Sequence, residues 1–206
     1  MGFINLFRPK VEKLKSKKDI EGLIRILSTK KIPQDRKKAA AALGELKASQ
    51  ARDPLIHALG DENWEVRKEA VSALDRIGDI GTVEPLLHLM KDENPQVRSA
   101  AIVALGKKAD EKSIDPLIQA LRGLHRDVRR CAAEALGKIG NTKAILSLSQ
   151  ALKDEDAVLR MRAAEALGKI GDVQAKKALA EALNDKNPEV KKAAQEALKK
   201  IDGNHT

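Results

Sequence analysis

The string Ala-x-x-Ala-Leu returns along this chain at a fixed interval of 31 residues. Its leucines are Leu43, Leu74, Leu105, Leu136, Leu167 and Leu198. Each has an alanine four residues and one residue before it, from Ala39 and Ala42 in the first copy to Ala194 and Ala197 in the last. Six copies in register mark a stacked repeat, in which each small unit buries its apolar face only against its neighbours. The aromatic content agrees. One Trp, two Phe and no Tyr in 206 residues would leave a single large core short of bulk, whereas thin layers can be filled with Ala, Leu, Ile and Val.

The unit from Gly81 to Gly106 shows how one repeat is built. Val83 to Met90 predicts a first helix, with Pro85 in its first turn, where a missing N–H costs little. Asp92-Glu93-Asn94-Pro95 predicts a turn in which Asp or Asn caps the next helix and Pro95 starts it. Gln96 to Leu105 predicts the second helix, with Gly106 near its C-terminal end. Val97, Ala101, Ile102, Ala104 and Leu105 then share one wide buried face.

A charged pattern keeps the same period. Arg36, Arg67, Arg98, Arg129, Arg160 and Lys191 occupy one position of the second helices, and Asp61, Asp92, Asp154 and Asp185 stand six residues before four of them. An Asp in the turn of one repeat is expected to meet the Arg of an adjacent one, forming a ladder that fixes the stacking. Gly123 interrupts this pattern in the fourth copy, next to Leu124 and His125.

Pro in the first helix, Asp in the turn and Arg or Lys in the second helix resemble the HEAT pattern. The stretch from Asp154 to Asp172, with its Arg160-Met161-Arg162 and Ala-Ala-Glu-Ala-Leu-Gly-Lys-Ile-Gly, is similar to the short HEAT-like repeats of the phycobilisome-lyase type. The resemblance implies an all-α, right-handed α-α superhelix of about six helix pairs over residues 19–202. It also implies a protein-interaction module, with occasional enzymes among its relatives. Ser147 and Ala178 depart from it, standing where Pro54, Pro85 and Pro116 occur earlier.

The two ends differ from the array. Residues 1–38 hold twelve Lys or Arg and four Asp or Glu, +8 of the whole chain's +9. Residues 1–18 are expected to form a basic N-terminal capping segment in which Phe3, Ile4, Leu6 and Phe7 pack on the first repeat. The alternative use of that segment is as an anchor to a membrane surface or a partner. At the last copy, Gln195 and Lys199, with Lys192 and Lys200, predict a polar cap, and residues 203–206 a short tail. No apolar stretch approaches the ~20 residues that span a bilayer, and the N-terminus lacks the apolar run of a secretory signal. With the one cysteine, Cys131, this predicts a cytoplasmic protein. The many Lys and Glu hint at a thermophilic source.

The residues offer little chemistry. His57 and His88 occupy equivalent positions, but a separation of roughly one repeat, about 10 Å, is too wide for one metal ion without further ligands. No His-Glu dipeptide of the deoxyhypusine hydroxylase kind occurs, and nothing marks a tetrapyrrole site. The Leu-Gly-Lys-Ile-Gly segments read as helix ends rather than phosphate loops. Arg129 and Arg130 stand beside Cys131, and adjacent cations can activate a thiol, yet no resolving Cys accompanies it. The expectation is a non-enzymatic chain without cofactor or metal.

Function should then reside where the repeat fails. Along the second helices, Ser99, Ala100, Val103, Cys131 and Met161 give small or apolar positions, with Trp64, Lys68, Arg130 and Arg162 beside them. An apolar centre with a charged rim is the anatomy of a protein-binding patch, and Trp and Arg are enriched at hot spots. The competing structural reading is that Val103 and Met161 pack between repeats and Trp64 seals a gap. Nucleic acid is the alternative partner: Lys37, Lys38, Lys68, Arg130, Arg162 and Lys192 form a basic track, interrupted by Glu69, Glu134, Glu165 and Glu196. A bilin-lyase-like accessory role is a further alternative. The expectation is a monomeric scaffold that binds a protein partner on a concave surface lined by the second helices.

Overall fold

The computed structural model describes residues 11–29, 32–78 and 82–203. Among the described residues there are thirteen α-helices and no strand. The chain forms two compact units, residues 1–85 and 86–206.

The first unit contains α1 (Val11–Ser16), α2 (Ile20–Leu27), α3 (Pro33–Glu45), α4 (Arg52–Ala58) and α5 (Trp64–Ile77). Helices α2 and α3 form one pair and α4 and α5 the next, and α3 lies against α5. Helix α1 packs on α2 and α3, burying Val11, and Lys15 forms an ion pair with Glu45 on α3. The hydrophobic residues expected to cap this end, Phe3, Ile4, Leu6 and Phe7, lie outside the described residues. Helix α6 (Val83–Leu89) follows, and its range spans the division between the units.

The second unit holds α7 (Pro95–Lys108), α8 (Ile114–Ala120), α9 (Arg126–Ile139), α10 (Ile145–Ala151), α11 (Ala157–Ile170), α12 (Lys176–Ala182) and α13 (Pro188–Gly203). The second helices α7, α9, α11 and α13 pack one on the next, while α8, α10 and α12 each lie against the second helix of their own repeat.

Local sequence explains these elements. Each of α8, α10 and α12 follows one turn of 3-10 helix, and Asp110, Asn141 and Asp172 cap those turns by accepting an N–H two residues on. Asn94 caps α7 in the same way, and Pro95 takes its first position, where a lost N–H has no intrahelical partner to miss. The apolar face closes as the spacing requires: Val97, Ala101, Ile102 and Leu105 are fully buried, as are Leu136 and Leu167 in the following copies. Each such Leu contributes about 1.5–3 kcal/mol. In the last copy Gln195 is exposed, where Ala40, Val71, Ile102, Ala133 and Ala164 are buried.

One sequence expectation needs correcting. The second helix does not stop at Leu105: α7 continues through Gly106 to Lys108. The helix-ending position comes three residues after that glycine. It is held by Gly78, Gly140 and Gly171, all left-handed, and by Ala109 at φ 52° in α7. The two glycines of Leu-Gly-Lys-Ile-Gly thus do different work, and only the second ends the helix.

Candidate functional site

The first of those glycines sets the spacing of the second helices. A Cβ on Gly106 would lie 2.6 Å from the Cβ of Ala135, and one on Gly137 or Gly168 would lie 2.7 Å from the Cα of Ala166 or Ala197. Gly44 meets Ala73 at 2.6 Å in the same way in the first unit. Helix backbones therefore touch through the alanine of Ala-Leu, and side chains flanking the contact are brought within reach of the next helix.

On one side of that contact runs a row of arginines. Arg36 donates from Nε and Nη2 to the two carboxylate oxygens of Asp61, at 2.7 and 2.8 Å. Arg160 binds Asp185 with the same fork, at 2.6 and 2.9 Å. Arg129 reaches Asp154 through Nη2 alone, at 3.1 Å. Each arginine from Arg67 to Arg160 also turns Nη1 back to two carbonyls of its own turn: Arg67 to Asp61 and Glu62, Arg98 to Asp92 and Glu93, Arg129 to Gly123 and Leu124, Arg160 to Asp154 and Glu155. The aspartates serve their own turns too, accepting the backbone N–H two residues on at Asn63, Asn94, Asp156 and Asn187. One guanidinium thus ties two consecutive turns together. Lys191, at the last position of the row, is exposed.

The electrostatics follow from this geometry. Hydrogen bonds from Arg160 hold the Asp185 carboxyl below the usual carboxylate range, and burial only partly opposes them. At Asp61 burial works upward, but the Arg36 fork and the Asn63 N–H outweigh it and the net shift is downward.

On the other side of the contact lie the positions that do not repeat. Ser99, Ala100 and Val103 on α7, Arg130 and Cys131 on α9, and Met161 and Arg162 on α11 are all half-buried. Cys131 and Met161 pack against the apolar core, as the structural reading of the sequence expected for Met161. Ser99 and Cys131, on adjacent helices, share a hydrogen bond, and burial pushes the Cys131 thiol up despite it. Its neighbouring cations therefore do not make it the thiolate that reactivity requires. Arg130 has an intramolecular role that the sequence did not reveal: its Nε and Nη2 bind Asp156 at 2.5 and 2.8 Å. Arg162 contacts Glu165 on its own helix at 3.1 Å. Arg130 meets Asp156 only in this copy, so no periodic signal announced the pair.

Trp64 and Lys68 belong to the first unit and lie one turn apart on α5, with the Lys68 ammonium 5.9 Å from the ring centre, within cation–π range. Lys37 binds Glu65 at 2.8 Å. The histidines His57, His88 and His125 are exposed. Among the described residues no cluster of three or more His, Cys, Asp or Glu could hold a metal ion, and no helix is long and apolar enough to cross a membrane.

Comparison with known proteins bears on the same repeats. A family model described as HEAT repeats matches residues 20–106, 83–157 and 114–199. Among solved structures, an engineered protein is 25% identical, with a TM-score of 0.68 over 90% of this chain and 97% of its own. The complex of CpcE and CpcF of phycocyanin lyase from Nostoc is 26% identical, with a TM-score of 0.67 over 88% of this chain and 76% of that one. Human deoxyhypusine hydroxylase is 22% identical, with a TM-score of 0.54 over 94% and 77%, a likeness of fold alone. No curated protein matches.

Proposed function

Because this chain belongs to the HEAT-repeat family, we propose that it is a non-enzymatic scaffold that binds a protein partner on the exposed face of its second helices. The observation that carries the reading is the half-buried strip of Ser99, Ala100, Val103, Cys131 and Met161 on α7, α9 and α11. Small and apolar side chains lie open there beside charges already paired within the chain. Such a surface can be covered without desolvating an unpaired ion, which favours a protein partner. Trp64 and Lys68 offer a second contact point in the first unit.

The pairing argues against nucleic acid as the main partner. Three cations of the basic track, Lys37, Arg130 and Arg162, are bound to Glu65, Asp156 and Glu165. Phosphate binding needs cations free to displace counterions, and single strands need aromatic platforms, of which one Trp and two Phe supply few. The likeness to the phycocyanin lyase complex keeps a bilin-lyase-like accessory role as the second reading, on the strength of repeat form only.

The test uses a photo-crosslinking amino acid placed in turn at Val103, at Met161 and at exposed Leu146 on α10, in the native cell. A partner captured from 103 and 161 and not from 146, with its identity read by mass spectrometry, is the expected result. Equal capture from all three positions, or unchanged capture at 161 when Val103→Asp is added in a folded protein, sinks the proposal. Steep loss of binding with salt would transfer the reading to nucleic acid.

A further inference from the structure

One position of the arginine row lacks its carboxylate. Arg36, Arg129 and Arg160 each meet an Asp 25 residues on. For Arg98 that residue is Gly123. The next position also supplies acids elsewhere, with Glu62 at 3.2 Å from Arg36 and Glu155 at 4.0 Å from Arg129; for Arg98 it is Leu124. Arg98 is nonetheless buried, with 9% of its surface exposed. Its Nη1 is used by the carbonyls of Asp92 and Glu93, but Nε and Nη2, the fork that grips a carboxylate at Arg36 and Arg160, have no partner. A buried guanidinium fork left unpaired is costly, and each such group calls for an explanation.

The turn opposite is altered to match. A Cβ on Gly123 would meet only the Ala120 carbonyl oxygen, at 3.2 Å, so a side chain could start there with little obstruction. The N-cap of α9, His125, makes no side-chain cap bond, as Ile32 of α3 makes none, where Asn63, Asn94 and Asp156 all do. In the sister turns one carboxylate receives three donors: Asp61 takes Arg36 Nε, Arg36 Nη2 and the Asn63 N–H, and Asp185 takes the equivalent three from Arg160 and Asn187. The equivalent donors here are Arg98 Nε, Arg98 Nη2 and the His125 N–H, and at Gly123 the chain supplies them no carboxylate. Beside it Leu124 is 95% exposed, the most open large apolar side chain among the described residues, and Arg122 and Arg126 are exposed on either side.

We propose that Arg98, Gly123 and the N-terminus of α9 form a socket for a carboxylate from another molecule. Its occupant is an Asp or Glu side chain of a protein partner, adjacent to an apolar residue that covers Leu124. The unpaired fork supplies a bidentate, charge-assisted site, the exposed arginines attract an acidic segment, and Leu124 adds the apolar contact. The socket lies on the intra-repeat turns, apart from the strip of Val103 and Met161, so neither reading depends on the other.

The test compares the full-length chain with Gly123→Asp, which supplies the missing carboxylate from within. The probe is a labelled, N-acetylated and C-amidated peptide with one Asp between leucines; its Asn counterpart and sodium acetate are measured beside it at constant ionic strength. The wild type is expected to bind the Asp peptide at least tenfold more tightly than the Asn peptide. G123D is expected to lose that preference and to melt at a higher temperature. Should G123D not fold, Arg98→Gln, checked for native helicity by circular dichroism, is expected to lose the same preference. Equal binding of both peptides, or equal binding by wild type and G123D, overturns the socket. Protection by acetate without peptide binding overturns the protein partner.

Discussion

Gly137 on α9 faces Ala166 on α11 so closely that a Cβ at 137 would lie 2.7 Å from the alanine's Cα and 2.8 Å from its Cβ. Neither obstructing atom can rotate away, since one is backbone and the other is fixed to it. Gly137→Ala is therefore expected to destabilise the chain by about 1–3 kcal/mol through overpacking. This loss opposes the ~1 kcal/mol that alanine gains over glycine inside a helix. Urea unfolding of the variant against wild type decides between the two, and a stabilised variant would show that the helices can part at little cost.

Ala109 makes the opposite case. It holds φ 52° where α5, α9 and α11 end on glycine. The left-handed region costs an L-residue roughly 1–2 kcal/mol. Ala109→Gly should then stabilise the chain by about 0.5–1 kcal/mol, while Gly140→Ala should lose a similar amount. Paired thermal melts read both signs.

The Arg160–Asp185 fork joins side chains only 6% and 10% exposed. Removing one member leaves the other charge buried, so Asp185→Ala is expected to cost about 3 kcal/mol. A double-mutant cycle with Arg160→Met should show strong coupling, because the second substitution removes the stranded cation. Additive effects would demote the pair to a surface contact.

The same pairs set the response to acid. Asp185, Asp156 and Asp61 all titrate below the usual carboxylate range, so the folded state holds its protons less tightly than the unfolded state. Their contribution is complete above the unfolded carboxylate pKa, about 3.9, and is lost as pH falls from there through the depressed folded values. Stability should hold flat across neutral pH and drop below about pH 4. Asp185→Asn should flatten that drop. A denaturant midpoint recorded from pH 7 to pH 2 tests it.

Burial raises the Cys131 thiol above its ordinary value. Its reaction with a thiol reagent at pH 8 is expected to be at least tenfold slower in the native chain than in urea, since the thiolate is the nucleophile. A native rate equal to the unfolded one would return Cys131 to the set of reactive groups.

Much of this was legible in the chain itself. A 31-residue period with Ala-x-x-Ala-Leu specifies helix pairs, because local spacing alone decides which side chains share a face, and the buried faces of α7, α9 and α11 are those that the spacing marks. The candidate strip was legible only as a set of positions. Sequence could not say that Arg130 is bound to Asp156, because the pair occurs once and joins residues 26 apart.

The chain by itself determined the repeat, its turns and the row of arginines, since each follows from residue type at a fixed local interval. The tertiary structure decided the rest, where the outcome depends on distance between repeats. It separated a glycine that ends a helix, Gly140, from one that admits a neighbour's backbone, Gly137. It also turned the substitution of Gly for Asp at 123 from a gap in a pattern into a buried, unpaired guanidinium at Arg98. The physical reason is that a repeat repeats its own sequence, but its contacts belong to the next one.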